Sequence, residues 1–285
     1  MPNYLNKIVN KIAFIVNSFK RSNIDNGSNV NISSRNDQTD IRLQGNLERL
    51  NRLKDIHKGH RAFIIGSGPS LRVSDLDRLK DEITFACNKI YLAYDQTDWR
   101  PTYYSVIDTM VAKNNFTEIE AIKETKLFNK CVYPTFQDSK DIIWINDLPP
   151  VYENDRRIFK FSKDLSKGTY GGFTVLYSIL QAAFWMGIRE VYILGLDYSF
   201  STPQSTMNEK SPIGETLLKS EGELNHFHKD YRKPGEVWTY PRLDYQYEAF
   251  QAAKKAFEEE GGIIYNASRQ TKLDVFPLIS FDKIA

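Results

Sequence analysis

The sequence has 285 residues, 41% of them hydrophobic, and its 38 basic and 36 acidic residues leave a formal charge of +2. That length can bury a sizeable core as one large domain, or as one domain with a lobe, and the balanced charge gives no reason to expect a nucleic acid partner. Cys87 and Cys131 stand outside any CxxC or Cys/His cluster, which argues against a disulfide scaffold or structural zinc and for two buried free thiols in a reducing cytosol. No apolar run reaches the roughly 20 residues that span a bilayer. Lys7 and Lys11 interrupt any secretory pattern, so the expected location is cytoplasmic.

The elements follow in chain order. Residues 4–20 predict an amphipathic helix, because Leu5, Ile8, Ile12 and Ile15 recur at helical spacing among Lys7, Lys11 and Lys20. Such a face suits packing on its own domain, a homo-oligomer contact, or a peripheral contact with the inner face of the cytoplasmic membrane. Residues 21–41 are rich in Asn, Ser and Asp and read as a flexible linker. The folded part, 42–285, then opens with a charged helix over 42–57. Arg61 to Ile65 is a short apolar run stopped by glycine, a buried strand. A polar helix over 71–80 follows, then strands at Ile83–Cys87, at Thr102–Ile107 and at Lys130–Tyr133, with a helix over 116–124 before the last. Residues 137–166, aromatic and carrying Pro149-Pro150, read as an irregular insertion. Gly172 to Gly187 is a buried helix and Glu190 to Gly195 a strand. Residues 199–241 form a long, polar, irregular lid. Tyr245 to Glu260 is a helix closed by Gly261-Gly262, and Ile263 to Asn266 is the last strand. This alternation predicts an α/β fold: a Rossmann-like, mostly parallel sheet flanked by helices, with a small irregular lid.

The densest signal is Gly66-Ser67-Gly68-Pro69-Ser70-Leu71 at the end of the first strand. Gly66 and Gly68 allow close backbone approach to a ligand. Pro69 suits a first helical position, whose free N–H groups make an anion site, and Ser70 adds a hydroxyl. Leu71 replaces the last glycine of the dinucleotide fingerprint, and Asn88 stands where its acidic residue would be. The turn therefore predicts a nucleotide phosphate rather than NAD. No GK[ST] follows any glycine-rich turn, so a Walker A loop is absent.

Ligands in open α/β sheets lie beyond the carboxyl ends of the strands. Asn88, Asp108 and Asp197 stand there, and Gly171-Gly172 open the buried helix as a second candidate anion site. Asp75-Leu76-Asp77 has DxD spacing but reads as a solvated acidic pair in a first helical turn. His226 and His228, in the polar lid, are the candidate general bases. No third residue stands at standard metal spacing beside them, so no metal site is expected.

In this order, GSGPSL (66–71), ACNKIY (86–91), the glycine-led stretch 171–199 and the helix-and-strand stretch 247–268 resemble a bacterial superfamily. It includes the lipooligosaccharide sialyltransferases, the motility-associated flagellin nonulosonate transferases and proteins like the archaeal 6-hydroxymethylpterin diphosphokinase. The sialyltransferase resemblance implies a CMP-activated donor, a mobile lid, no metal and inversion at the anomeric carbon. It implies donor binding by Gly66, Ser67, Gly68, Ser70, Asn88 and Asp197. Asp108 falls where that family has Asn. The tyrosines that assist the leaving phosphate there correspond here to Ser199 and about Ser205, with Tyr198 and Tyr231 as the nearest substitutes. The histidines here lie farther upstream of the last helix than the family's base.

The expected function is an inverting glycosyltransferase that builds a bacterial surface glycan. Its donor would be a CMP-nonulosonate such as sialic acid, its acceptor a glycan or lipid-linked sugar, with no cofactor. Two alternatives stand. One is an ATP-dependent diphosphokinase of the pterin type, with Mg²⁺ on Asp108 and Asp197. The other is a nucleotide-binding protein without catalysis.

Overall fold

The structure is a computed structural model that describes residues 45–285, except 137, 204, 205 and 211–215, and the backbone alone over 206–210. The expected N-terminal helix (4–20) and linker (21–41) lie outside the described residues. The helix α1 spans 45–52. The strands in chain order are β1 (Arg61–Ile65), β2 (Ile83–Cys87), β3 (Tyr103–Val106), β4 (Thr125–Asn129), β5 (Ile142–Ile145), β6 (Asp147–Leu148), β7 (Val151–Glu153), β8 (Arg156–Ile158), β9 (Thr169–Tyr170), β10 (Glu190–Leu194), β11 (Thr206–Lys210), β12 (Thr216–Lys219), β13 (Val237–Thr239) and β14 (Ile263–Asn266). The remaining helices are α2 (Val73–Leu76), α3 (Thr109–Asn114), α4 (Phe116–Ala121), α5 (Val175–Trp185) and α6 (Leu243–Glu258).

Seven strands form one sheet in the order β14-β10-β1-β2-β3-β4-β5, with every neighbouring pair parallel. Its strands bury both faces, as parallel sheets do. Successive side chains of β1 alternate between two cores. Ala62 and Ile64 join Leu50, α5 and α6 on one side, while Phe63 and Ile65 join Leu76, Ile119 and Phe281 on the other. α5 is buried along its whole length, as its nearly all-apolar sequence requires. The α/β fold with a parallel sheet flanked by helices is therefore as the alternation predicts.

Five local expectations are corrected. The fourth strand is Thr125–Asn129, and 130–132 is a 3₁₀ turn. Lys126 obscured that strand; it is buried, and its Nζ donates to the carbonyl of Ile122. The segment expected to be an irregular insertion supplies β5, four buried residues at the sheet edge. There the Asn46 amide donates to Trp144 O at 2.7 Å and accepts from Trp144 N at 2.8 Å, covering backbone groups that an open edge would expose. The polar helix over 71–80 is a single α-turn followed by a 3₁₀ turn at Asp77–Leu79. The lid is more regular than its composition suggests, because β11, β12 and β13 form a three-stranded antiparallel sheet. Both thiols are free, but only Cys87 is buried; Cys131 is at the surface. Among the described residues no helix is long and apolar enough to cross a membrane.

Candidate functional site at the reversal of strand order

β1 is the pivot of the sheet. From it the chain winds outward through β2 to β5, then returns to place β10 and β14 on the other side. The crevice where strand order reverses, beyond the carboxyl ends of β1 and β10, is where doubly wound sheets hold ligands. The loops leaving these two strands interlock. Gly66 N donates to Leu194 O at 2.7 Å and Gly68 N to Gly195 O at 2.9 Å. A Cβ on Gly66 would meet Gly195 O at 2.6 Å; one on Gly195, whose φ is +64°, would meet Gly66 O at 2.7 Å. These glycines serve the contact between the two loops.

The same packing redirects the turn's donors. Ser70 N donates to Asp197 Oδ2 at 2.7 Å, and the Ser70 hydroxyl donates to Asp197 Oδ1. A carboxylate of the chain itself thus occupies the turn that the sequence assigns to a phosphate. Pro69 lies in the turn, not at a first helical position; α2 starts at Val73 behind an Arg72 cap and has only four residues. The helix end that faces the crevice is instead that of α5. Thr174 caps it by accepting from Leu176 N at 3.3 Å, and Thr174, Val175 and Leu176 line the crevice. With 11 residues, this helix carries a useful dipole at its N-terminus. Of the two glycines before it, Gly172 packs on Tyr177, whose ring fills the place where a Cβ would stand, whereas a Cβ on Gly171 would make only an ordinary contact with Arg157 Nη2 at 3.6 Å. Gly172 therefore serves packing, and neither glycine lines the crevice. Phe173 is left at φ +58°, a costly conformation for a bulky residue. Gln246 Nε2 donates to its carbonyl at 2.9 Å.

Burial raises the Asp197 carboxyl, and its two bonds from Ser70 partly oppose that rise. A carboxyl raised in the fold adds stability at acid pH that is lost as pH rises through its folded pKa. Asp197→Asn keeps both bonds as a neutral amide, so it should match the wild type at pH 7 within about 1 kcal/mol and lose this pH dependence. Asp197→Ala strands the Ser70 donors and should cost about 3 kcal/mol. Urea unfolding of the three proteins across the carboxylate range checks this; equal losses in both variants would refute it.

Two polar atoms at the head of the crevice have no partner. Ser67 Oγ and Asn88 Oδ1 are both buried and unbonded, and both residues line the crevice. Asn88 has φ +51°, tolerable for Asn. Its N–H donates to Ser105 O at 3.2 Å and its C=O accepts from Tyr104 Oη at 2.7 Å. Backbone needs are met, and the side-chain oxygen is left over. Asp108 is placed differently. It caps α3, accepting from Met110 N at 2.7 Å and Val111 N at 3.1 Å, and it is absent from the crevice wall.

The lid closes over these groups. Phe227 N donates to Ser67 O at 3.0 Å. Lys89 Nζ, buried just behind Asn88, donates to Tyr231 O at 2.8 Å and Glu236 Oε1 at 3.0 Å. His226 stacks on Tyr231 with ring centroids 3.7 Å apart, and both line the crevice. Burial, then the charges of Arg232 and Lys89, push His226 down to about 3. His228 lies off the crevice wall, its Nδ1 accepting from Asp230 N at 3.2 Å. Tyr198 and Ser199 reach the wall, but the Tyr198 hydroxyl donates to Leu243 O. Burial pushes the Tyr231 hydroxyl up to about 12. The crevice, open on one side, holds about 130 Å³, below the roughly 300 Å³ at which small-molecule sites begin.

Sequence reasoning missed Lys89, Thr174, Arg232 and Gln246. Lys89 and Thr174 had a signal, each standing close to a residue already singled out. Gln246 and Arg232 act through tertiary contacts that no spacing announces.

Residues 39–203 match the family model described as 6-hydroxymethylpterin diphosphokinase MptE-like. No curated protein matches the chain. Among solved structures the chain is similar to the MAf glycosyltransferase from Magnetospirillum magneticum AMB-1, with a TM-score of 0.42 and 13% identity over 85% of this chain and 39% of that one. The chain thus spans well under half the length of that protein.

Proposed function

The chain belongs to the 6-hydroxymethylpterin diphosphokinase MptE-like family, and from that premise we propose that its crevice binds a nucleotide-activated sugar and transfers the sugar to a glycan or lipid-linked acceptor. The favoured donor is a CMP-nonulosonate such as a CMP-sialic acid. The observation that carries this reading is the pair of buried, unpartnered acceptors Ser67 Oγ and Asn88 Oδ1 in the crevice that the N-terminus of α5 also lines. Together they offer polar contacts for a nucleoside and a dipole for its phosphate.

In the proposed reaction the acceptor hydroxyl oxygen bonds to the anomeric carbon as the bond from that carbon to the phosphate oxygen breaks, with inversion. His226 takes the hydroxyl proton on a ring nitrogen. Burial and two cations make it a weak base. An anionic donor opposes those cations and raises its basicity. The N-terminus of α5 stabilises the departing phosphate, where negative charge grows. The sugar ring passes through an oxocarbenium-like state. On this reading His226, not His228, is the base.

The diphosphokinase reading is favoured by the family's own description. It needs Mg²⁺ on carboxylates. Both Asp197 oxygens hold Ser70, while Asp108 binds α3 through Oδ1 alone. Among the described residues no group of three His, Cys, Asp or Glu side chains is placed to hold a metal ion, a poor fit to that requirement.

Thermal shift with CMP, UDP, GDP and ATP, each with Mg²⁺ and with EDTA, separates the readings. A ligand at 100 times its Kd stabilises by about 2.7 kcal/mol. CMP is expected to raise Tm equally in both conditions. An ATP shift that needs Mg²⁺, without a CMP shift, sinks the glycosyltransferase reading. CMP binding with no transfer to any acceptor leaves the non-catalytic alternative.

A further inference from the structure

The lid holds a second group of unsatisfied polar atoms. Arg232 follows Tyr231, and its guanidinium stacks 4.0 Å from the centre of the Trp238 ring. Its Nε and Nη1 are buried and make no hydrogen bond. Other arginines near the site are paired. Arg242 is held by Asp244 at 2.6 Å, and Arg269 by Asp75 at 2.6 Å. Arg232 makes no ion pair among the described residues. A guanidinium is a rigid fork of donors that matches an oxyanion in two-point contact. Burying that fork without an acceptor costs free energy that a bound anion returns.

Its surroundings put it behind the crevice wall. Tyr231 stacks on His226. Phe200, another wall residue, packs on Trp238 with ring centroids 6.4 Å apart. The charge of Arg232 acts on His226, and burial, opposed by the charges of Glu236, Tyr231, Glu223 and last Asp108 at the end of β3, lowers Arg232 itself. Among the described residues no nearby acid forms an ion pair with it. Glu236 holds Lys89 through Oε1 and Lys233 N through Oε2. Glu223 accepts from Ser220 Oγ and Glu221 N through Oε2, and its Oε1 is also unpartnered.

We propose that Arg232 is an oxyanion subsite on the lid, receiving a second anionic group of the ligand beyond the phosphate at α5, either a further phosphate or the carboxylate of an acidic sugar. This rests on the nucleotide reading of the crevice. A nucleoside monophosphate alone does not reach it.

Isothermal titration of the wild type, Arg232→Gln and Arg232→Lys tests this with CMP, CDP and CMP-N-acetylneuraminate, and with inorganic pyrophosphate as a probe that carries no nucleoside. Arg232→Gln is expected to weaken pyrophosphate and one of the two longer ligands at least tenfold, with CMP unchanged. A loss confined to CDP identifies a phosphate, and one confined to CMP-N-acetylneuraminate identifies a carboxylate. Arg232→Lys, which keeps the charge without the fork, should lie between. Equal losses for CMP and the longer ligands would show a structural role and overturn the proposal, as would unchanged pyrophosphate affinity. If Glu223→Gln destabilises the fold as much as Arg232→Gln does, and neither alters anion binding, Arg232 serves Glu223 and the proposal falls. Arg232-dependent pyrophosphate binding without any nucleotide binding would keep the subsite and refute the nucleotide reading; binding of neither refutes both.

Discussion

His226→Phe will spare the protein about 3 kcal/mol of destabilisation between pH 7 and pH 4. The imidazole lies face to face with Tyr231, 3.7 Å between centroids at an interplanar angle of 5°. A phenyl ring keeps that stack but cannot take a proton. In the fold His226 titrates at about 3, against an ordinary value of 6.5, first because it is buried and then because Arg232 and Lys89 face it. The sign follows from proton counting. Above pH 6.5 neither folded nor unfolded chain protonates this ring. Below it the unfolded chain takes up a proton that the folded chain refuses, so stability falls by about 1.4 kcal/mol per pH unit until the folded group titrates. Urea unfolding of both proteins at pH 7 and pH 4 measures the difference. Parallel losses of stability would show that the ring is protonated in the fold. The same property serves the proposed chemistry: His226 enters the reaction unprotonated at every physiological pH.

The second large effect is expected at Gly195. Gly195→Ala should cost about 4 kcal/mol and abolish ligand binding with it. The residue has φ +64°, and a Cβ there would sit 2.7 Å from Gly66 O and 3.3 Å from Gly68 N. Left-handed backbone alone costs an L-residue roughly 1–2 kcal/mol, and overpacking against backbone that cannot swing aside adds about 1–3 kcal/mol. Relief by separating β1 from β10 would break the bonds Gly66 N to Leu194 O and Gly68 N to Gly195 O. Gly261→Ala is the control: its φ is +70°, but nothing lies within 4 Å of where the alanine methyl would stand, so it should show the conformational cost alone. Chemical denaturation of both variants decides; equal costs would mean that the loop contact contributes nothing.

The sheet was legible because β1, β2, β10 and β14 are short apolar runs ended by glycine or asparagine, a local property of the chain. β4 and β5 were not. Lys126 looks solvated until Ile122 O appears beside its Nζ, and Ile142–Ile145 is surrounded by aromatic and proline residues that suggest irregularity. In the site, Gly66, Ser67, Gly68, Asn88, Asp197 and His226 do meet in one crevice. What the sequence hid was which of them face the ligand. GSGPS has the composition of a phosphate turn, yet its Ser70 donors go to Asp197, more than a hundred residues later in the chain. The helix end that lines the crevice belongs to Thr174 and Val175, while the Gly171-Gly172 pair that marks this helix in the sequence stays off the wall. Strain marks the place better: Asn88, Phe173 and Tyr198 all hold positive φ at its border, and no propensity scale foresees where tertiary contacts impose that.

The outward winding of β2 to β5 from a central β1, followed by the return to β10 and β14, has a consequence for the order in which the protein becomes competent during synthesis. About a third of the crevice wall is encoded by the ends of β1 and β2, and five strands of the sheet are complete in sequence by Ile145. The opposing wall, from Thr174 through Asp197 to Gln246, arrives only with the later part of the chain. A nascent chain therefore displays an open sheet edge at β1 and no binding site, and a chain truncated after β5 cannot be rescued by ligand. The crevice wall is completed last, by the lid and α6, after β10 has taken its place beside β1.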